Sequence, residues 1–168
     1  LPPVLAQLPA GVGEQTLSEA LSEVQQRQLA AYMVMLAHWN STFNLTALRD
    51  ASEMLSHHLS DCLRVLAPLL RHLHTADLLG REAPPRLLDV GSGGGLPGVV
   101  LAICCPQVQV TCVDTVGKKA AFIRQVAAEL RLPNLKAEHA RVEQLQGRYE
   151  LITSRAFASL PDFVGLTR

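Results

Sequence analysis

The stretch that most constrains this chain is a short apolar run that leads straight into glycines. Leu87-Leu88-Asp89-Val90 is followed by Gly91-Ser92-Gly93-Gly94-Gly95-Leu96-Pro97-Gly98, with glycine at five of eight positions. Residues without a Cβ allow positive φ and close approach of backbone to backbone or ligand. A strand that breaks into such a loop and resumes as an apolar helix is half of a βαβ unit. The rest of the second half fits that reading. Apolar runs at Arg86–Val90, Val108–Asp114, around Leu135–Glu138 and at Tyr149–Ser154 alternate with helical patterns, the clearest being Gly117–Arg131, with Ala121, Phe122, Val126 and Leu130 on one face. Alternation of this kind predicts an α/β fold with a mostly parallel sheet flanked by helices, whose ligands lie beyond the carboxyl ends of the strands.

Before the turn-rich stretch Asp77–Pro85 the period is helical. Leu21, Val24, Gln28, Leu29, Tyr32, Met33 and Leu36 recur at three- and four-residue steps behind a Ser22/Gln25 capping box. A second box, Asp50/Glu53, precedes Met54, Leu55, His58 and Leu59, and the stripe continues through Leu63, Leu66, Leu69 and Leu70 past Pro68. The expected division is therefore an N-terminal helical segment, 1–80, and a ligand-binding α/β domain, 81–168. At 168 residues and 48% hydrophobic the chain can bury a domain-sized core. No apolar run approaches the roughly 20 residues of a bilayer crossing, and no secretory signal pattern opens the sequence, so a soluble, cytoplasmic protein is expected. Cys62, Cys104, Cys105 and Cys112 lack metal-ligand spacing and read as reduced, buried thiols. The 15 basic and 15 acidic side chains balance, which leaves no strong positive footprint for gripping bare nucleic acid.

Gly93, Gly95 and Gly98 satisfy G-x-G-x-x-G, a pattern that by itself suggests a dinucleotide. Register and charge favour another ligand. A pyrophosphate loop should open its glycine pattern directly after the strand with no carboxylate nearby. Here counting from Gly91 puts Leu96 at the third glycine position, and Asp89 stands two residues before the loop. That acid suits a cationic ligand such as S-adenosylmethionine, which carries an amino group and a sulfonium but no phosphate. Asp114, at the end of the next strand, is placed to hold its ribose hydroxyls. The plain alternative is a tight turn, with Asp114 capping the following helix.

Five stretches in this order resemble the bacterial small-subunit ribosomal RNA guanine-N7 methyltransferases, also called glucose-inhibited division protein B. They are Trp39-Asn-Ser-Thr-Phe-Asn-Leu-Thr-Ala47, His58-Leu-Ser-Asp61, Asp89-Val-Gly-Ser-Gly-Gly-Gly-Leu-Pro-Gly98, Asp114-Thr-Val-Gly-Lys-Lys119 and Ser154-Arg-Ala-Phe157. Cys62 and Val142 are small departures from the usual serine and alanine. The resemblance implies a Rossmann-like class I S-adenosylmethionine-dependent methyltransferase fold, although the chain ends at Arg168, before the later strands of that fold. It implies methyl transfer to N7 of a guanosine in 16S rRNA, with S-adenosylhomocysteine as product. Gly91 and Leu96 would line the donor site with Asp89, Ser92, Gly93 and Gly95 of the same loop. Asp114 would meet the ribose, Val142 and Glu143 would flank the adenine, and Arg155 would sit at the mouth of the site as the catalytic candidate.

N7 of guanine carries a lone pair and no proton, so its attack on a methyl group needs no general base, and alignment is what the protein must supply. Thr153-Ser154-Arg155-Ala156 offers neither the Asn/Asp-Pro-Pro of amino-nitrogen methylation nor a cysteine nucleophile for pyrimidine C5. Arg155 is expected to hold guanine, phosphate or the donor carboxylate, against the alternative of an ion pair with a neighbour such as Glu143. Lys118 and Lys119 are candidates for RNA phosphate contact or, equally, a solvated helix start. His58 and Asp61, three apart, read as a structural pair, Trp39 and Phe43 read as core, and Asn40 and Asn44 have no assigned role. The expected partner is 16S rRNA within the small ribosomal subunit, bound by a monomer without metal or membrane. A nicotinamide-dependent oxidoreductase and a non-catalytic ribosome-assembly module are the competing readings.

Overall fold

The computed structural model describes residues 21–43, 58–155 and 159–167. The Asp50/Glu53 box, Met54, Leu55, Asn44, Ala156 and Phe157 lie outside them, as does the side chain of Phe43.

Four strands form one parallel sheet in the order β3-β2-β1-β4. They are β1 (Arg86–Val90), β2 (Gln109–Asp114), β3 (Leu135–His139) and β4 (Leu151–Ser154). Among the described residues two helices precede the sheet, α1 (Glu23–Phe43) and α2 (Ser60–Thr75). The crossovers are α3 (Gly98–Cys104) and α4 (Gly117–Glu129), and α5 (Leu160–Leu166) follows β4. Strand order reverses at β1, so the loop after β1 opens at the switch point of a Rossmann-like sheet. The α/β fold expected from the sequence is the fold found.

Every residue of β1 after Arg86 is buried, yet the two faces part company. Leu87 joins the main core with Leu29, Tyr32, Leu36, Leu66, Leu70, Val99 and Ile103, whereas Leu88 and Val90 join a smaller cluster with Val113, against which Val142 and Phe163 pack. Side chains alternate along a strand, so Asp89 points with Leu87 toward the helical layer. The helical segment and one face of the sheet thus share a single core.

Local chemistry seats α1 on that core. The Ser22/Gln25 box forms reciprocally: the Ser22 N–H donates to Gln25 Oε1 at 3.0 Å and the Gln25 N–H to Ser22 Oγ at 3.3 Å. The Gln25 amide also donates to the carbonyls of Ile103 (3.0 Å) and Cys104 (3.2 Å), and Gln28 Nε2 donates to Leu130 O (2.9 Å). These bonds satisfy carbonyls that α3 and α4 leave open at their C-termini. Trp39 stacks on the fully buried Phe122 of α4 at 5.3 Å between ring centroids, the core role expected of it.

Three boundaries differ from expectation, β2 simply starting one residue later, at Gln109. β4 starts at Leu151 because the preceding residues wrap Arg86: Tyr149 lies 4.6 Å under its guanidinium, and the Glu150 side chain accepts its N–H at 2.7 Å. α4 stops at Glu129 because Arg131 turns left-handed (φ 54°) and the Leu132 N–H closes back on Ala127 O, a Schellman-type end.

Candidate active site

The loop after β1 is tied down along its whole length. Gly91 (φ 66°), Gly93 (57°) and Gly95 (95°) take conformations that favour glycine. At Gly98 the constraint is space, because a Cβ there would overlap Cys112 Sγ and lie 2.7 Å from Asp89 Oδ2. The N–H groups of Gly91 and Ser92 donate to Val113 O, and those of Gly95 and Leu96 to Ser92 O. The Gly93 N–H donates to Asp114 Oδ2 and the Gly98 N–H to Asp89 Oδ2, each at 2.9 Å. Six of the loop's amides are therefore committed inside the protein. A pyrophosphate loop needs those donors turned outward, so the G-x-G-x-x-G pattern here serves packing and turn geometry.

Beside the loop, at the carboxyl ends of β1, β2 and β3, is a cavity of about 440 Å³, a size suited to a small ligand. It is lined by Gly91 and Asp114 and by Val142 and Glu143 of the 3₁₀ turn Val142–Gln144. Val90, Val113 and Ala140 add apolar lining, and Lys119, Arg141 and Leu166 also border it. Asp114 is buried, and its Oδ1 accepts the Val116 N–H at 2.9 Å. One carboxylate thus fixes both the glycine loop and the start of α4 while bordering the cavity.

The donor set fits the nucleoside part of S-adenosylmethionine. Apolar walls suit a purine, and two carboxylates suit hydroxyl and amino donors. The cavity brings together four of the residues singled out in sequence as donor-binding, Gly91, Asp114, Val142 and Glu143, and adds Lys119. Sequence reasoning missed Arg141, although its position directly before Val142 could have flagged it.

Other expected site residues stand elsewhere. Asp89 is fully buried on the helix-facing side, one oxygen holding Gly98 and the other, Oδ1, without a hydrogen-bond partner. Its geometry is that of a loop anchor at the carboxyl end of the central strand β1, where sequence reasoning expected contact with a cationic ligand. Burial, reinforced by the Asp114 carboxylate and opposed by the Gly98 amide, pushes its pKa up to about 7. Ser92 and Leu96 are likewise buried, with Ser92 Oγ turned to Val113 O at 3.4 Å. Gly93 and Gly95 contribute turn geometry, and Lys118 is exposed on the first turn of α4.

Val90 and Ser154 are register partners, and Ser154 Oγ donates to Val90 O at 3.0 Å. Gly91 and Arg155 therefore leave the sheet side by side. The arginine's ionic partner is Asp61 of α2, Nη2 to Oδ2 3.7 Å. Glu143, the neighbour envisaged in sequence, lines the cavity, and the carboxylate that pairs with Arg155 is that of Asp61. All four cysteines are free and buried, and burial holds Cys62 and Cys105 up at about 12. Among the described residues no cluster of three or more His, Cys, Asp or Glu is placed to hold a metal ion, and no helix is long and apolar enough to cross a membrane.

Residues 25–168 match the GidB family model, described as rRNA small subunit methyltransferase G. Proteins named ribosomal RNA small subunit methyltransferase G are similar to this chain. The one from Paracidovorax citrulli is 56% identical over 160 residues, covering 93% of this chain and 66% of that protein. The one from Polaromonas naphthalenivorans is 59% identical, covering 90% and 67%, and that of Leptothrix cholodnii is 59% identical, covering 93% and 69%. The chain thus spans about two thirds of the length of the curated relatives it matches. With the strand order, the anchored glycine loop and these matches together, the chain belongs to the GidB family, rRNA small subunit methyltransferase G.

Proposed function

We propose that this chain carries the donor site of an S-adenosylmethionine-dependent methyltransferase that modifies N7 of a guanosine in 16S rRNA. The observation that supports this most is the cavity bounded by Gly91, Asp114, Val142 and Glu143 at the carboxyl ends of β1, β2 and β3, beside a loop whose amides are already used internally. Bound S-adenosylmethionine supplies a methyl carbon activated by its sulfonium.

The chain's own residues bind and orient. Asp114 holds the ribose, Val142 and Glu143 flank the adenine, and the Gly91 turn admits the ligand close to the sheet edge. Arg155 leaves β4 next to that turn, where its guanidinium orients the guanine, its phosphate or the donor's carboxylate. No residue need remove a proton from N7. Rate enhancement comes from alignment, which in favourable cases supplies roughly 7–11 kcal/mol. Lys118 and Lys119 open α4 on the same edge and would meet RNA phosphate.

N7 lies in the deep, narrow major groove of A-form RNA, so a looped or extruded nucleotide is the substrate. The balanced charge of the chain favours recognition of a folded small ribosomal subunit over bare RNA by a monomeric, metal-independent cytoplasmic enzyme. The helical segment, 1–80, supports the donor domain, 81–168. Transfer of tritium from labelled donor into 16S rRNA tests the proposal. Label should appear at guanine N7, more efficiently in small subunits than in naked rRNA, and should be lost with Asp114→Ala. Absence of label in rRNA from either substrate would overturn it.

A further inference from the structure

We propose that Tyr32, on the N-terminal helical segment, is a positioning residue for the methyl-donor loop: its hydroxyl fixes the carbonyl of Gly94, so that α1 sets the conformation in which the loop receives its ligand. This rests on the donor site assigned above. Tyr32 is fully buried, and its Oη donates to Gly94 O at 2.8 Å, across 62 residues of sequence. The other anchors come from within the sheet unit: Val113 and Asp114 take the amides of Gly91, Ser92 and Gly93, and Asp89 takes that of Gly98. All of these hold loop donors. Tyr32 holds a loop acceptor at the apex, and a Cβ at Gly95 would lie 3.4 Å from the same hydroxyl, so the phenol also bounds the loop from below.

The donor cannot readily be lost by ionisation, because burial holds the phenol pKa well above its ordinary value. The helix that carries it is fixed independently, through Gln25 to Ile103 and Cys104, Gln28 to Leu130, and Trp39 to Phe122. The hydroxyl is thus delivered by an already docked helix, and its removal need not undock it.

Without the hydroxyl, a buried carbonyl loses its partner and the loop gains reason to take other conformations. Affinity then falls in proportion to the fraction of molecules whose loop remains competent. Tyr32→Phe keeps the ring in the core and removes only this bond. Calorimetric titration with S-adenosylhomocysteine, well below the melting temperature of each protein, reads the effect. Gln25→Ala is the companion variant, since it weakens α1 docking without touching the loop.

The expected result is a dissociation constant raised about tenfold in Tyr32→Phe, the factor that one lost buried hydrogen bond supplies. In Gln25→Ala it should stay within about twofold of the unsubstituted protein despite a lowered melting temperature. Unchanged affinity in Tyr32→Phe, or equal losses in both variants, would overturn the positioning role and leave the donor site standing. If the unsubstituted protein shows no saturable binding, the donor site itself falls.

Discussion

Exchanging Asp89 for asparagine keeps an oxygen for the Gly98 amide and removes the charge, so it isolates what burial does to this carboxylate. The group is fully buried, and its pKa rises from 3.8 to about 7, chiefly through burial. In the folded chain Asp89 keeps its proton to about pH 7, whereas the unfolded chain releases it near pH ~4. Between those limits the folded state binds more protons than the unfolded state. Stability from this group is therefore complete below the lower limit, declines as pH rises, and is gone above the upper one. At about 1.4 kcal/mol per pH unit, a rise from 3.8 to about 7 makes the decline on the order of 4 kcal/mol. Urea unfolding across this window should show Asp89→Asn gaining on the unsubstituted protein as pH rises. Asp89→Ala should be weaker than Asp89→Asn at every pH, because the buried Gly98 N–H loses its acceptor at ~1–3 kcal/mol. Parallel pH profiles for Asp89→Asn and the unsubstituted protein would refute the reasoning.

Gly98→Ala should lower stability by ~1–3 kcal/mol, as overpacking does, because its Cβ meets Cys112 Sγ and Asp89 Oδ2. Thermal unfolding should show Cys112→Ala restoring part of that loss. Asp114→Ala removes the acceptor of both the Gly93 and Val116 amides, and calorimetry should find donor affinity reduced about 10- to 100-fold, the size expected for charge-assisted bonds. The buried Asn134 amide donates to Ala102 O (2.9 Å), Val108 O (3.1 Å) and Cys105 O (3.4 Å). Asn134→Ala should therefore cost ~1–3 kcal/mol in urea unfolding without altering donor affinity.

What the sequence made legible was what periodicity and local chemistry encode. Apolar runs marked all four strands, and the Ser22/Gln25 box marked the start of α1, because each depends on residues a few positions apart. The cavity's Asp114 was legible as an acid closing a strand, and Val142 and Glu143 through the family resemblance. Asp89 was visible as an acid before glycines, but its direction was not. β1 is buried on both faces after Arg86, so no polar alternation tells which way Asp89 points. Tyr32 read as one more member of an apolar stripe, since its partner lies 62 residues away. Asp61 with Arg155 was hidden in the same way, as members of two motifs far apart in the chain that only the folded structure brings together.

The most direct test of the donor site is to titrate the protein calorimetrically with S-adenosylhomocysteine and, separately, with a reduced nicotinamide dinucleotide. A loop whose amides are spent on Val113, Asp114, Ser92 and Asp89 should give saturable heat with the first ligand, abolished or sharply weakened by Asp114→Ala, and none with the second. Saturation by the dinucleotide with silence from S-adenosylhomocysteine would contradict it.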